Sequence, residues 1–276
     1  MEFNWNTETM SPSQFKIADY IQKNTQHVLL STEQEISNSL KISIASVSRF
    51  WRSVGYKNFK DFKTQMRTQL EVSPAGKMKN IMRKAEGHEL QYHKLTMSVD
   101  HLQKTMEHFS SNDFDQAVDT LSRAHNIYIY CPGPSIGLGH LLYYRLSRFG
   151  LHIRIIHNNG SELFEDLLHI NKNDVVIIFG FVRLLPEAKV ILDQANQVGY
   201  QTIIITDKLV SDFSTQTDSI LFASRGDMWE FHSMIAPTFM VENLIIAVGM
   251  KNKQENLERL ELLSNLRHQY SDILPR

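Results

Sequence analysis

The sequence predicts an α/β protein in two parts: an all-α helix-turn-helix domain at the N-terminus, then a doubly wound domain built on a five-stranded parallel sheet. Three observations carry this. The first 75 or so residues show short helical patterns punctuated by capping residues. From Asn126 the texture changes to five β-rich runs, NIYIYC, LHIRIIH, DVVIIF, QTIIIT and SILFA, with helical patterns between most of them. The charge is also uneven. Residues 41–79 hold nine Lys or Arg and two acidic residues, a net +7, and since the whole chain carries −1 the remainder carries −8. A basic block beside an acidic remainder points to a polyanion-binding module joined to a body with another task.

The bulk numbers exclude several classes. A chain of 276 residues, 42% hydrophobic and 21% charged, can build one large core or two ordinary ones. The single cysteine, Cys131, allows no internal disulfide and fits a reducing cytosol, hence a cytoplasmic protein. The N-terminal stretch MEFNWNTETMSPSQ has neither a basic n-region nor an apolar h-region, so no secretory signal is expected. The longest apolar run, 234–250, contains Pro237, Glu242 and Asn243, which lipid would penalise. It reads as a buried or dimer-forming helix rather than a membrane span.

The N-terminal elements follow in order. Ser11-Pro12-Ser13-Gln14 places a capping Ser, a Pro at the first helical position and a Gln three residues after the cap. Phe15, Ile17, Ala18 and Ile21 then supply an apolar face. Thr32 and Glu35 have capping-box spacing, with Ile36 and Leu40 on one face of the helix they open. Lys41-Ile42 makes a turn. Ser43 caps the next helix, SIASVSRFWRSV, whose Ile44, Val47, Trp51 and Val54 form an apolar stripe, and Gly55 ends it. The opposite face shows Ala45, Ser46, Ser48, Arg49, Arg52 and Ser53. A helix entering a major groove about 12 Å wide needs such a slim face with donors on it. In YKNFKDFK, Tyr56, Phe59 and Phe62 interleave with Lys57, Lys60 and Lys63. The aromatics are expected to pack on the helices while the lysines reach phosphates.

Ser73-Pro74-Ala75-Gly76 reads as a break, residues 77–109 as a polar helical connector, and Ser110 to Asp113 as the cap of a helix over 114–124. The domains are therefore 1–76, 77–109 and 110–276. In the third, helices are expected over 137–149, 162–170 and 186–198, and a long helical region over 228–270. In a parallel sheet, ligands sit beyond the carboxyl ends of the strands, near helix N-termini. Those ends are CPGPS with Gly133 and Ser135, HNNGS with Ser161, GFVR with Gly180 and Arg183, and TDK at 206–208.

At this level of detail the chain resembles the RpiR family of transcriptional regulators. SQFKIADYI, STEQEIS and SIASVSRFWRSVGYKNFKDFK follow that family's N-terminal text, with Ser43, Ser46, Val47, Arg49, Phe50, Gly55, Tyr56, Phe59 and Phe62 on its pattern. IYIYCPGPS and residues 199–207 are similar to the first strand and loop, and the later "TD" strand, of the sugar isomerase (SIS) domain that follows in the same family. The resemblance implies a regulator that binds a near-palindromic double-stranded operator as a homodimer or tetramer, in response to an anionic effector of the phosphosugar class. On it, Ser43, Ser46, Ser48, Arg49, Arg52, Lys57 and Lys60 are the DNA-binding residues. Gly133, Ser135, Ser161, Gly180 and Arg183 are the ligand-binding residues.

One departure matters. The family's third strand often ends in a Ser-x-Ser-Gly-x-Thr loop that holds a sugar phosphate. Here the two Ser positions are Gly180 and Val182, the Gly is Arg183 and the Thr is Leu185. Either the Arg183 fork replaces several neutral donors, or the site is degenerate and the domain only dimerises. Glu162, and Glu230 with His232, are the acid–base candidates an SIS isomerase would need. Without the hydroxyl loop, catalysis is not expected. Neither is a cofactor or metal, since no zinc spacing, GKS/GKT loop or GxSxG elbow occurs.

Overall fold

A computed structural model describes residues 5, 10–69, 74–85, 90–209, 215–227 and 230–274. It forms two compact units, one of Met1–Lys84 with Trp229–Phe231 and one of Ala85–Met228 with His232–Arg276.

The first unit is all-helical: α1 (Pro12–Lys23), α2 (Thr25–Leu30), α3 (Glu33–Leu40), α4 (Ile44–Ser53), α5 (Phe59–Gln69) and α6 (Pro74–Ala85). Its helix starts are set locally. Ser11 Oγ accepts the Gln14 N–H while the Gln14 side chain accepts the Ser11 N–H, and Thr32 and Glu35 repeat the exchange at α3. The Thr32 N–H holds the Glu35 carboxyl below its usual range. Ile17, Ile21, Ile36, Val47, Phe50, Trp51, Phe62 and Met66 are buried together. Trp51 stacks 4.7 Å from both Phe59 and Phe62, which fixes α5 against α4.

Three expectations are corrected here. Ile44 is 45% exposed and Phe50 is buried in its place. The first turn of α4 projects past the core, so the buried stripe begins at Val47. Phe15 also faces outward. The break before the connector is not one over 74–76, because Pro74 to Gly76 form the first turn of α6, where a proline needs no N–H partner; Ser73 lies outside the described residues.

The second unit runs α7 (Leu90–Glu107), α8 (Ser111–Arg123), β1 (Ile127–Tyr130), α9 (Ile136–Leu146), β2 (Ile153–Ile156), α10 (Leu163–Leu167), β3 (Val175–Phe179), α11 (Pro186–Val198), β4 (Gln201–Thr206), β5 (Ser219–Phe222), α12 (Ile235–Lys251) and α13 (Lys253–Gln269). The five strands form one parallel sheet in the order β2-β1-β3-β4-β5. Alternate residues feed two cores. Ile127, Ile129, Val175, Ile177, Ile203 and Ile205 pack with α8, α9 and α12. Tyr128, Tyr130, Val176, Ile178 and Ile204 pack with α10 and α11. Gly139 lets α9 lie against β1, since a Cβ there would collide with Cys131 Sγ. Burial in that contact pushes the Cys131 thiol up to about 11.

The helices around the sheet are more broken than the sequence implied. The helix expected over 162–170 is a 3-10 turn, Gly160–Glu162, followed by the five-residue α10, and α9 ends in a 3-10 turn at Ser147–Phe149. Of the region expected to be helical over 228–270, residues 228–229 lie outside the described residues, 230–234 are not helical, and α12 begins at Ile235, burying Met240, Val241, Leu244 and Val248. No helix among the described residues is long and apolar enough to cross a membrane.

The connector is not simply polar. α7 buries Ser98, His101 and Thr105 and leaves Tyr92, Leu95, Val99 and Met106 exposed, with Leu102 half-buried. The buried hydroxyls are satisfied: Ser98 donates to Lys94 O, Thr105 donates to His101 O, and Thr105 Oγ1 accepts the Ser224 N–H at 3.0 Å.

At the opposite edge of the sheet, buried Asp174 accepts the backbone and side-chain N–H of both Asn126 and Asn171, at 2.6 to 3.0 Å. It ties the start of β1 to the turn before β3. Asp174→Ala leaves four donors short of an acceptor and is expected to cost about 3 kcal/mol, measured as a lower urea midpoint by far-UV circular dichroism.

Candidate functional site

Two regions collect the candidate residues. In the first, α3 and α4 are joined by Lys41, in the left-handed conformation at φ 54°, with the Ser37 hydroxyl donating to Ile42 O. Ser43 caps α4 by accepting the Ser46 N–H at 3.2 Å, and the two hydroxyls lie 2.9 Å apart. Ser48 Oγ and Trp51 Nε1 both donate to Glu33 Oε1 at 2.9 Å. Glu33 thus fixes the rotation of α4 and occupies Ser48. Arg49 and Arg52 are exposed on the same helix, and Lys57 and Lys60 are exposed in and after the turn into α5. Lys63 is turned inward. It donates to Ser31 O and lies 4.3 Å from the Phe59 ring centre. Among the described residues, six of the seven assigned to DNA therefore keep free polar heads or share only local cap bonds, and Ser48 is engaged. The sequence carried no sign of Glu33, which acts from 15 and 18 residues away.

The second region is the carboxyl edge of the sheet, where β1 and β3 run side by side and their crossovers leave on opposite faces, the switch point of this strand order. The loop after β1 makes a 3-10 turn, Gly133–Ser135, that leads into α9. Gly133 is exposed and Ser135 is 3% exposed. Ser161 is exposed in the turn after β2, and the neighbouring Gly160 N–H donates to Glu187 Oε1 at 3.3 Å. Glu187 opens α11, so it joins the β2 and β3 loops. Burial, then the Glu187 charge, pushes the Tyr130 phenol up to about 12, and among the described residues its hydroxyl meets no partner at hydrogen-bonding geometry.

The β3 loop has an unusual backbone. Val182 sits at φ 65° and the Arg183 N–H donates back to Phe181 O at 2.7 Å. That is a γ-turn of the positive-φ kind, strained for a β-branched residue. Asp207, just past β4, holds it by accepting the Val182 N–H at 2.8 Å. Thr206 Oγ1 donates to Gly180 O at 2.7 Å. Arg183 is exposed, with no ion pair among the described residues. Arg225, beyond β5, is buried; its Cζ lies 4.5 Å over the Phe181 ring and its Nη1 is 3.9 Å from Asp207 Oδ2. Burial pulls its guanidinium below the usual range, and Asp207 opposes that. Sequence reasoning flagged the strand end that holds Asp207 but passed over Arg225. A lone arginine directly after an apolar strand run was the available signal. Among the described residues no cluster of His, Cys, Asp and Glu could hold a metal. Glu162 is exposed, and Glu230 and His232 lie half-buried in the segment before α12.

A helix-turn-helix unit followed by a doubly wound parallel-sheet unit defines a two-domain class. The chain belongs to the rpiR family: residues 2–73 match its helix-turn-helix domain, and residues 120–258 match the SIS domain. Among curated relatives, the bifunctional protein glk of Burkholderia thailandensis is 23% identical over 93% of this chain, but over only 40% of its own length. The chain spans about two fifths of the length of these relatives. An uncharacterized HTH-type transcriptional regulator of Caldanaerobacter subterraneus subsp. tengcongensis is 22% identical over 94% of this chain and 93% of its own. Among solved structures, the Vibrio vulnificus NanR protein complexed with ManNAc-6P aligns with a TM-score of 0.61, at 18% identity over 98% of this chain and 97% of that one. The sugar isomerase domain of an RpiR transcription factor from Sphaerobacter thermophilus aligns at 0.59, with 21% identity over 64% and 98%. These two likenesses are of fold.

The strain at Val182 predicts an inverted outcome for glycine. Val182→Gly is expected to hold or raise the melting temperature, because relief of about 1–3 kcal/mol offsets the usual loss of about 0.5–1 kcal/mol on introducing glycine. Differential scanning calorimetry decides it, and a clear drop would mean the turn is unstrained.

Proposed function

We propose that this protein is a DNA-binding transcriptional regulator of sugar or amino-sugar metabolism genes, whose DNA affinity is set by an anionic small molecule of the phosphosugar class. The observation that carries the reading is the exposed face of α4, with Arg49 and Arg52 outward, followed by exposed Lys57 and Lys60. Short Ser43 and Ser46 let the helix approach the groove floor while the long cations reach phosphates and base edges. Residues 1–76 bind DNA, 77–109 connect, and 110–276 sense the effector and dimerise. The working form is a homodimer that sets two recognition helices on a near-palindromic site. The connector adds to this contact: on α7 exposed Tyr92, Leu95, Val99 and Met106 and half-buried Leu102 fall at spacings of three and four, a self-complementary seam. A DNA partner places the protein in the cytoplasm.

The effector reading rests on Arg183 and Ser135 at neighbouring strand ends and on the fold shared with the NanR protein, whose structure is a complex with ManNAc-6P. The effector acts by binding two poses of the DNA-binding domains with different affinity. We assign no catalysis to the chain. The second reading, a sheet domain that only dimerises, draws on the GFVRLL loop, which lacks the hydroxyls of the family pattern.

Fluorescence anisotropy with DNA from upstream of the protein's own gene tests these readings. Arg49→Ala and Lys57→Ala are each expected to weaken binding and to reduce the salt slope by about one; an unchanged slope removes that residue from the interface. One member of a panel of sugar phosphates and amino-sugar phosphates is expected to change the affinity, and Arg183→Ala to abolish that response. Indifference to the whole panel favours the dimerising reading. For the seam, Val99→Glu is expected to shift the protein from dimer to monomer in sedimentation velocity.

A further inference from the structure

The Arg225 side chain is 7% exposed, yet little in the described residues meets its hydrogen-bonding needs. Its Nε is fully buried and has no acceptor. Its contact with Asp207, 3.9 Å from Nη1, is too long to be a hydrogen bond. A charged fork shaped for a carboxylate normally closes to about 2.7–2.9 Å. Here Asp207 cannot serve it fully, because Oδ1 is committed to the Val182 N–H. Burial of a guanidinium is unfavourable unless both charge and donors are met. Asp207 meets the charge from a distance, the Phe181 ring covers one face, and the donors remain open. A purely structural ion pair would not leave them so.

We infer that Arg225 is an oxyanion-binding residue at the carboxyl ends of β3, β4 and β5, its open donors taking a carboxylate or phosphate group of a small molecule. The inference rests on the sheet edge being an effector site and gives that site a buried cation in addition to exposed Arg183. The two arginines divide the work. Arg183 meets the anion in water, and Arg225 binds it where water is excluded and the Coulomb attraction is stronger. Asp207 stabilises the empty state and opposes the bound anion. It also links the two cations, through the Val182 N–H on one oxygen and the Arg225 charge on the other.

The test uses the full chain labelled with nitrogen-15, titrated with inorganic phosphate and separately with acetate, with sodium chloride holding the ionic strength constant. The Nε–Hε resonance of Arg225 is assigned by its loss in Arg225→Lys, or in the neutral pair Arg225→Met with Asp207→Asn if the first variant fails to fold. Saturable movement of that resonance is expected with at least one anion, and the arm that moves it names the group. Asp207→Asn is expected to tighten the same anion about tenfold, the scale for removing one charge a few ångströms away. A resonance that neither anion moves, or an Asp207→Asn chain that binds no tighter, overturns the assignment. If the Arg225 resonance stays still while phosphate raises the melting temperature in a way that Arg183→Ala abolishes, only the Arg225 assignment falls. If neither anion does either, the effector reading falls with it.

Discussion

The backbone of β1, β3 and β4 is shut off from water on both faces, so its N–H and C=O groups must pair within the sheet. Parallel pairing meets that need only if each connection crosses back over a face, as α9, α10 and α11 do. All five carboxyl ends then gather at one edge, and the chain can turn polar only there or at the opposite edge. The opposite edge is closed by Asp174 and its four N–H donors. The carboxyl edge is where Ser135, Ser161, Arg183, Asp207 and Arg225 converge from positions ninety residues apart.

What that edge offers is charge rather than a ring of hydroxyls. A Ser-rich loop donates through several neutral groups and tolerates an empty state at little cost. An arginine binds an anion more strongly and is harder to leave unpaired, above all when buried. Asp207 resolves part of this conflict. By holding both the strained turn at Val182 and the charge of Arg225, it couples the shape of the β3 loop to the electrostatics of β5. Beyond β5, the Ser224 N–H is held by Thr105 of α7, so the same strand end also bears on the helix with the exposed apolar seam.

The first unit solves a different problem, presenting a cationic helix face without losing the helix. Trp51, Phe59 and Phe62 anchor α4 from below, and Glu33 sets its rotation through the Ser48 and Trp51 donors. Arg49 and Arg52 are left outward because every apolar position of that helix beyond its first turn is used inward.

The sequence by itself determined the features whose physics is local. The caps at Ser11, Thr32, Ser43 and Ser110 depend on bonds spanning three residues, and the five strands on apolar runs bounded by turn residues, so both could be read from the text. The GFVRLL departure was equally plain. Tertiary structure decided what depends on partners far along the chain. It set Phe50 rather than Ile44 into the core, tied Ser48 to Glu33, buried Ser135, and placed α7 with its hydroxyls inward and its apolar side chains out. It also set Arg225 against Phe181 and Asp207. Periodicity shows that a helix has two faces but not which one a neighbour will cover, and a charge in the sequence carries no record of the carboxylate that will stand beside it.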